Sequence, residues 1–132
     1  MRMKTPVAAN FRDVLEAVRE KVPDVQAILL IGPDGVVDHV LADSSLTIET
    51  IEAEYAMLLR IAARASEDAG AGNLVEQIVV SEKSSMIARR VSAQHFVILL
   101  TKAQDQIGRA RFELKNAASE IQRRGIPSVG GV

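Results

Sequence analysis

The chain has 132 residues and a mass of 14.3 kDa, with 16 basic and 17 acidic side chains and no cysteine. This length supports one domain with an ordinary hydrophobic core, and the missing cysteines exclude a disulfide framework, a thiolate metal site and a cysteine nucleophile. A net charge of −1 argues against nucleic-acid binding through clustered cations, and no apolar run approaches the ~18 residues of a membrane span, so we expect a cytoplasmic protein without direct membrane insertion.

The first predicted elements are a helix and a β-hairpin. The helix begins near Thr5-Pro6, a capping hydroxyl followed by a residue suited to the first helical position, and its apolar residues recur at helical spacing as far as Pro23. Two short apolar runs, 25–31 and 36–42, then flank Pro33-Asp34-Gly35. Because proline presets a turn and glycine supplies a positive φ, this pattern predicts a hairpin with a three-residue turn.

A long helix is predicted over residues 47–69, with Thr47 as its N-cap and glycines ending it at Gly70-Ala71-Gly72. Its apolar arc spans roughly 200°, whereas a helix that lies on a sheet needs little more than ~100°. The arc contains the stripe Ile48, Ile51, Tyr55, Leu58, Ala62 and Ala65, with Leu59 on one side and Met57 and Ile61 on the other. The excess predicts that one side of the helix covers a sheet and the other meets a second chain.

Three further strands, 74–80, 85–91 and 96–100, precede a last helix from about Asp105 to Gly125. The element order is therefore αββαβββα. The near-continuous apolar strands need cover on both sides, so we expect an α/β (α+β) fold: a five-stranded antiparallel sheet with helices on both faces. One domain over 1–125 and a flexible tail over 126–132 complete this prediction.

Reactive chemistry is sparse in the sequence. Phosphate-binding and dinucleotide-binding glycine motifs are absent. Asp38 and His39 are adjacent on a strand and point to opposite faces, and His95 is expected at a turn, exposed to solvent. Arg89-Arg90 lies on a strand, with at least one side chain expected in solvent. We expect no catalytic, cofactor-binding or metal-binding residue and no enzyme activity.

Charge is distributed unevenly along the chain. Residues 24–82 hold eleven carboxylates against only Arg60 and Arg64, whereas residues 1–22 and 102–124 are cationic. One interpretation is that these are solvated faces of no further consequence. The other is that two faces of the fold present opposite potentials that steer partners.

Several local signatures occur together in a fixed order. They are the hairpin Ile28-Leu29-Leu30-Ile31-Gly32-Pro33-Asp34-Gly35-Val36-Val37, the Ala-rich helix ending at Gly70-Ala71-Gly72, the strand Leu74-Val75-Glu76-Gln77-Ile78-Val79-Val80, and the helix opening Ile107-Gly108-Arg109-Ala110-Arg111. Over residues 7–124 the chain thereby resembles the Roadblock/dynein light chain family, in particular its bacterial members that act with small Ras-like GTPases.

The resemblance implies a homodimer and a non-catalytic regulator or co-activator of a small Ras-like GTPase. The middle helix, 47–69, and the strand 74–80 would each pair with their copies. The implied dimer interface contains Ile51, Tyr55, Met57, Leu58, Ile61, Ala62, Val75, Gln77 and Val79. The implied GTPase contact contains Glu49, Met57, Arg60, Arg64 and Glu67.

Three alternatives stay open at this point. In the first, the protein is a structural adaptor or scaffold for a motor or polarity complex, without effect on GTP hydrolysis. In the second, it is a small-ligand sensor, which an enclosed apolar pocket would favour. The third keeps the regulator hypothesis but has Arg60 or Arg64 act as an arginine finger, instead of the protein positioning the GTPase's own residues.

Overall fold

A computed structural model describes residues 10–126 of the chain. Its helices and strands are α1 (Arg12–Lys21), β1 (Val25–Gly32), β2 (Gly35–Leu41), α2 (Ile48 to Asp68), β3 (Glu76–Val80), β4 (Ser85–Ser92), β5 (His95–Thr101) and α3 (Ile107–Arg124), with a 3₁₀ turn over Gln104–Gln106. This is the predicted order. α1 begins at Arg12, and Asn10 and Phe11 before it are not helical, so the prediction of one unbroken helix from Thr5-Pro6 is wrong. Thr5-Pro6 themselves and the tail residues 127–132 lie outside the described range.

The five strands form one antiparallel sheet in the order β2-β1-β5-β4-β3. The two strands richest in apolar residues, β1 and β5, pair with each other inside the sheet, and β4 is the third interior strand. Alternate residues of β1 point to opposite faces: Ile28 and Leu30 join the core under α1 and α3, while Leu29 and Ile31 join the core under α2. Helices therefore cover both faces, as predicted.

The first turn is tighter than expected. Gly32 pairs with Gly35 across the hairpin, so the loop has two residues, Pro33 and Asp34, and not three. Gly35 has a φ of 120°, which side-chain-bearing residues rarely adopt.

The ends of α2 confirm the predicted caps. The Thr47 hydroxyl accepts a hydrogen bond from the Thr50 N–H at 3.2 Å. At the other end Gly70 takes a φ of 76°, and the Ala71 N–H donates to the Ser66 carbonyl at 2.9 Å, which is a left-handed glycine cap.

The interior of α2 departs from the regular helix that the sequence predicted. Residues Glu52–Ala56 form a π-helical turn between α-helical segments Ile48–Ile51 and Met57–Asp68. A π turn holds more residues than an α turn, so it shifts the phase of everything after it. The buried line therefore runs through Ile51, Ala56 and Leu59, with a spacing of five across the π turn.

Two polar side chains serve the fold. Asp38 is buried and accepts hydrogen bonds from the Phe11 N–H at 3.1 Å and from Arg12 Nε at 3.0 Å, so it fixes the start of α1 against β2. The prediction that His95 is exposed at a turn is wrong. It begins β5, is only 6% exposed, and its Nδ1 lies 2.9 Å from Ser92 Oγ.

His95 is buried because Gly32 leaves room for it. A Cβ on Gly32 would lie 2.8 Å from Cδ2 and from Nε2 of the imidazole, so the ring occupies the space that a side chain would fill. Burial lowers the pKa of His95 from its ordinary value.

Candidate protein-interaction surface

The outer side of α2 carries large apolar side chains that no part of the described chain covers. Met57 is 54% exposed, Ile61 is 60% exposed, and Leu58 is exposed as well. We call these three residues the α2 patch. Since residues three and four apart are neighbours on a helix surface, Met57 and Ile61 form one continuous apolar area.

The strand β3 lies at an edge of the sheet, next to β4 only. The Arg90 N–H donates to the Val75 carbonyl, and the register pairs Gln77 with Ala88. In an antiparallel ladder every second residue bonds to a given neighbour. The backbone N–H and C=O groups of Glu76, Ile78 and Val80 therefore point away from β4, at the open edge.

Apolar side chains accompany this open edge. Val75 is 49% exposed and Val80 is 60% exposed, and Ile78 is exposed as well. Val79, whose side chain points to the face opposite Ile78 and Val80, packs against the same core as Leu59 of α2. An uncovered edge with apolar side chains is a template for pairing with another strand, so β3 and the α2 patch together form a candidate interaction surface.

The structure distributes the predicted interface residues unequally. Ile51 is 3% exposed and lies in the protomer's own core, so its side chain is not available to a partner. The phase shift of the π turn explains this difference: in a regular α-helix Leu58, seven residues on, would share the face of Ile51, whereas the π turn rotates it away from the sheet. Met57, Leu58, Ile61 and Val75 are exposed, and Tyr55, Ala62, Gln77 and Val79 are half-buried.

The Oε1 atom of Gln77 is buried on the edge strand and has no hydrogen-bond donor among residues 10–126. Buried polar atoms normally have a partner. Within the described chain, this buried acceptor on β3 therefore lacks the hydrogen-bond donor that such atoms normally have.

All five residues expected at the GTPase contact lie exposed on α2: Glu49, Met57, Arg60, Arg64 and Glu67. Arg64 is 3.9 Å from Asp68, a weak pairing between two exposed side chains. Arg60 makes no ion pair or side-chain hydrogen bond with any residue of the described range.

The face of the sheet that α1 and α3 cover is less cationic than the sequences of these two helices alone indicate. The basic side chains of α1 and α3 are largely paired, as in Arg124 with Asp13 at 2.6 Å and Arg111 with Glu76 at 2.8 Å. The Arg124 guanidinium lowers the pKa of Asp13, and Arg111 lowers that of Glu76. Pairing neutralises much of the charge, so the contrast between the two faces is smaller than the sequence count suggests.

The sequence reasoning selected Val75, Gln77 and Val79, whose side chains lie on one face of β3, and missed the exposed residues on the other face. Ile78 and Val80 are exposed because α3 packs over β4 and β5 and stops short of the edge strand. The available signal was the segment LVEQIVV itself, which carries apolar residues on both parities.

Within residues 10–126, no group of three or more His, Asp or Glu side chains is placed to hold a metal ion. None of the helices in that range is long and apolar enough to cross a membrane. The described surface thus offers exposed apolar side chains and open backbone groups, which suit contacts with other proteins.

Comparison with solved structures identifies several similar chains. MglC from Myxococcus xanthus is 31% identical, covers 87% of this chain and 98% of its own, and superposes with a TM-score of 0.62. MglB from Myxococcus xanthus is 11% identical over 94% of this chain and 93% of its own, with a TM-score of 0.81.

A Roadblock/LC7 domain from Streptomyces avermitilis is 13% identical over 84% of this chain and 93% of its own, with a TM-score of 0.72. At these identities the MglB and Streptomyces structures establish a shared fold, whereas MglC is also a sequence relative. No family model and no curated protein matches the chain.

Proposed function

Because this chain belongs to the Roadblock/LC7 family, we propose that it is a homodimeric, non-catalytic protein-binding module that regulates a small Ras-like GTPase in the cytoplasm. The observation that carries the proposal is the open edge of β3 beside the exposed α2 patch. The open edge offers unpaired backbone N–H and C=O groups, and the α2 patch offers apolar side chains that the described chain leaves uncovered.

The homodimer would form by antiparallel pairing of β3 with its copy. The outward backbone groups of Glu76, Ile78 and Val80 would then bond across the dimer axis, so that two five-stranded sheets become one. Because Val79 and Leu59 share a core cluster, α2 lies close enough to β3 for the two α2 helices to meet over the joined strands. Exposed Leu58 and half-buried Ala62 and Tyr55 would supply that contact.

The GTPase would bind the outer surface of α2, through Glu49, Met57, Arg60, Arg64 and Glu67. This surface combines exposed apolar area at Met57 with two cations and two carboxylates. Such a mixture is typical of interfaces that form and dissociate, with an apolar centre and a charged rim. We assign the protein a positioning effect on the GTPase and no catalytic residue of its own.

Light scattering tests the dimer. We expect twice the protomer mass of 14.3 kDa, and Leu58→Glu should shift the protein toward the monomer because it places a carboxylate in an apolar contact. Leu41→Glu is the matched control, an exposed apolar residue at the end of β2, the opposite edge strand. A monomeric wild type, or equal behaviour of the two variants, contradicts the proposed interface.

Single-turnover GTP hydrolysis by the cognate Ras-like GTPase, with and without this protein, tests the regulation. Stimulation that survives Arg60→Ala combined with Arg64→Ala supports the positioning role. A fall of about 10³-fold or more would instead identify an arginine finger. Binding without any change in hydrolysis would favour an adaptor or scaffold for a motor or polarity complex.

A further inference from the structure

A cavity of about 280 Å³ opens to the surface between α2 and the two turns at one end of the sheet, β1–β2 and β4–β5. Ile31, Leu59 and Phe96 line its apolar part, and Arg60 and Gln94 contribute polar groups. None of the residues that line it is acidic. It is therefore an apolar depression with one cation beside it.

The cavity has a structural origin in α2. Two small residues, Ala56 and Ala63, lie on the inward side of the helix next to Leu59, so the helix leaves space above the turns. Ala56 is the last residue of the π turn, and π turns occur frequently at functional sites. Regular α-helical packing with larger side chains would fill this space.

Arg60 gives the cavity its charge preference. Arg60 has no acidic partner in the described part of the chain, unlike Arg12, Arg111 and Arg124, which each pair with a carboxylate. A guanidinium binds carboxylates through its forked N–H donors. A ligand that places an apolar group in the cavity and a carboxylate next to it would match both features.

We infer that this cavity receives one apolar side chain of a partner protein, aromatic or branched aliphatic, whose neighbouring Asp or Glu carboxylate binds Arg60. The volume is below the ~300–1,000 Å³ of typical small-molecule sites but suits a single anchoring side chain. Met57 and Arg60 are three residues apart on α2, so the rim is continuous with the α2 patch. One bound protein would cover the cavity and Met57.

This inference goes beyond the proposed function, since it requires neither a GTPase partner nor a dimer. It also differs from the sensor alternative, which needs an enclosed pocket for a free small molecule. The cavity is open on the same side as the α2 patch, and this continuity favours a protein segment as the occupant.

The test is an NMR titration of the intact protein with acetyl-Gly-Phe-Glu-Gly-amide. We expect saturable shifts of the backbone amides of Gly32, Ala63 and Gln94, with a dissociation constant on the order of 1 mM for a contact of this size. Replacing the peptide's Phe by Ala should weaken binding about 10-fold or more. Replacing its Glu by Gln should weaken it about 2- to 5-fold.

Protein variants locate the site. Ala63→Leu should abolish binding because it fills the cavity, and Arg60→Gln should remove the peptide's preference for Glu over Gln. Arg19→Gln is the control, an exposed arginine on α1 outside the cavity lining, and should bind as the wild type does. The peptide substitutions keep the test decisive if Ala63→Leu does not fold.

Three outcomes overturn the inference. One is the absence of saturable shifts up to about 10 mM peptide. A second is unchanged peptide binding to a folded Ala63→Leu variant. The third is equal or tighter binding of free 3-phenylpropionate at the same residues, which would assign the cavity to a small carboxylate and not to a partner protein.

Discussion

Arg111 on α3 holds both carboxylate oxygens of Glu76 on the edge strand β3, with Nε 2.9 Å from Oε2 and Nη2 2.8 Å from Oε1. The two residues are 35 positions apart in sequence. Glu76 is the first residue of β3, and its register partner Arg89 lies opposite on β4. This two-bond ion pair ties the edge strand to the helix layer.

Replacing Arg111 by Gln should lower the free energy of unfolding by more than the loss of a typical single-bond surface pair, since its ion pair is bidentate, although Arg111 is half-exposed. Arg109→Gln is the control, because Arg109 lies 4.0 Å from Glu113 and makes no such fork. Urea denaturation measures both. An equal loss in the two variants would contradict the special role of Arg111.

The same pair has a defined pH dependence. Arg111 lowers the pKa of Glu76 below its ordinary 4.5, so the folded state favours the charged carboxylate. The stabilisation is complete above pH 4.5 and is lost as the pH falls through the lowered pKa. The difference in stability between the wild type and Arg111→Gln should therefore shrink below pH 4, and a difference independent of pH would contradict this assignment.

Gly32→Ala should destabilise the protein by about 1–3 kcal/mol, because the added methyl group would collide with the His95 ring and force the buried side chain to move. Gly108→Ala is the control. Nothing lies within 4 Å of a Cβ at that helical position, so alanine should stabilise by up to about 1 kcal/mol. Thermal unfolding distinguishes the two. Similar midpoints for both variants would show that the space around Gly32 is not limiting.

His95 should titrate below its ordinary pKa of 6.5, because burial disfavours the imidazolium. The unfolded chain then binds the proton more readily, so stability should fall as the pH drops from 6.5 toward the lowered folded-state pKa. Ring-proton NMR measures the midpoint, and His39→Gln removes the other imidazole so that the signal is unambiguous. A midpoint at or above 6.5 would refute the effect of burial.

Two proline variants separate the two sides of β3. Ile78→Pro removes an N–H that points to the open edge, so it should weaken the proposed dimer while sparing the β3–β4 ladder. Gln77→Pro removes an N–H on the β4 side and should lower the stability of the protomer itself by about 1 kcal/mol or more. Light scattering and thermal unfolding, measured on both, should give opposite patterns; a reversed pattern would mean that the ladder parity is assigned wrongly.

Local sequence patterns were sufficient for much of the fold. The apolar runs of β1 and β5, the turn at Pro33-Asp34 and the caps at Thr47 and Gly70 depend on residues close together in the chain. Period and turn chemistry therefore determined the number, type and order of elements. They also determined that α2 has more apolar surface than one sheet can cover.

Only the tertiary structure decided which of those apolar residues stay exposed. Ile51 and Ile61 belong to the same broad arc, yet Ile51 is buried against the underlying sheet, and the π turn between them rotates Ile61 into solvent. The burial of His95 and the Glu76–Arg111 pair depend on contacts between residues distant in sequence. A linear pattern carries the period of an element, but contact partners and helix phase are set by what packs against it.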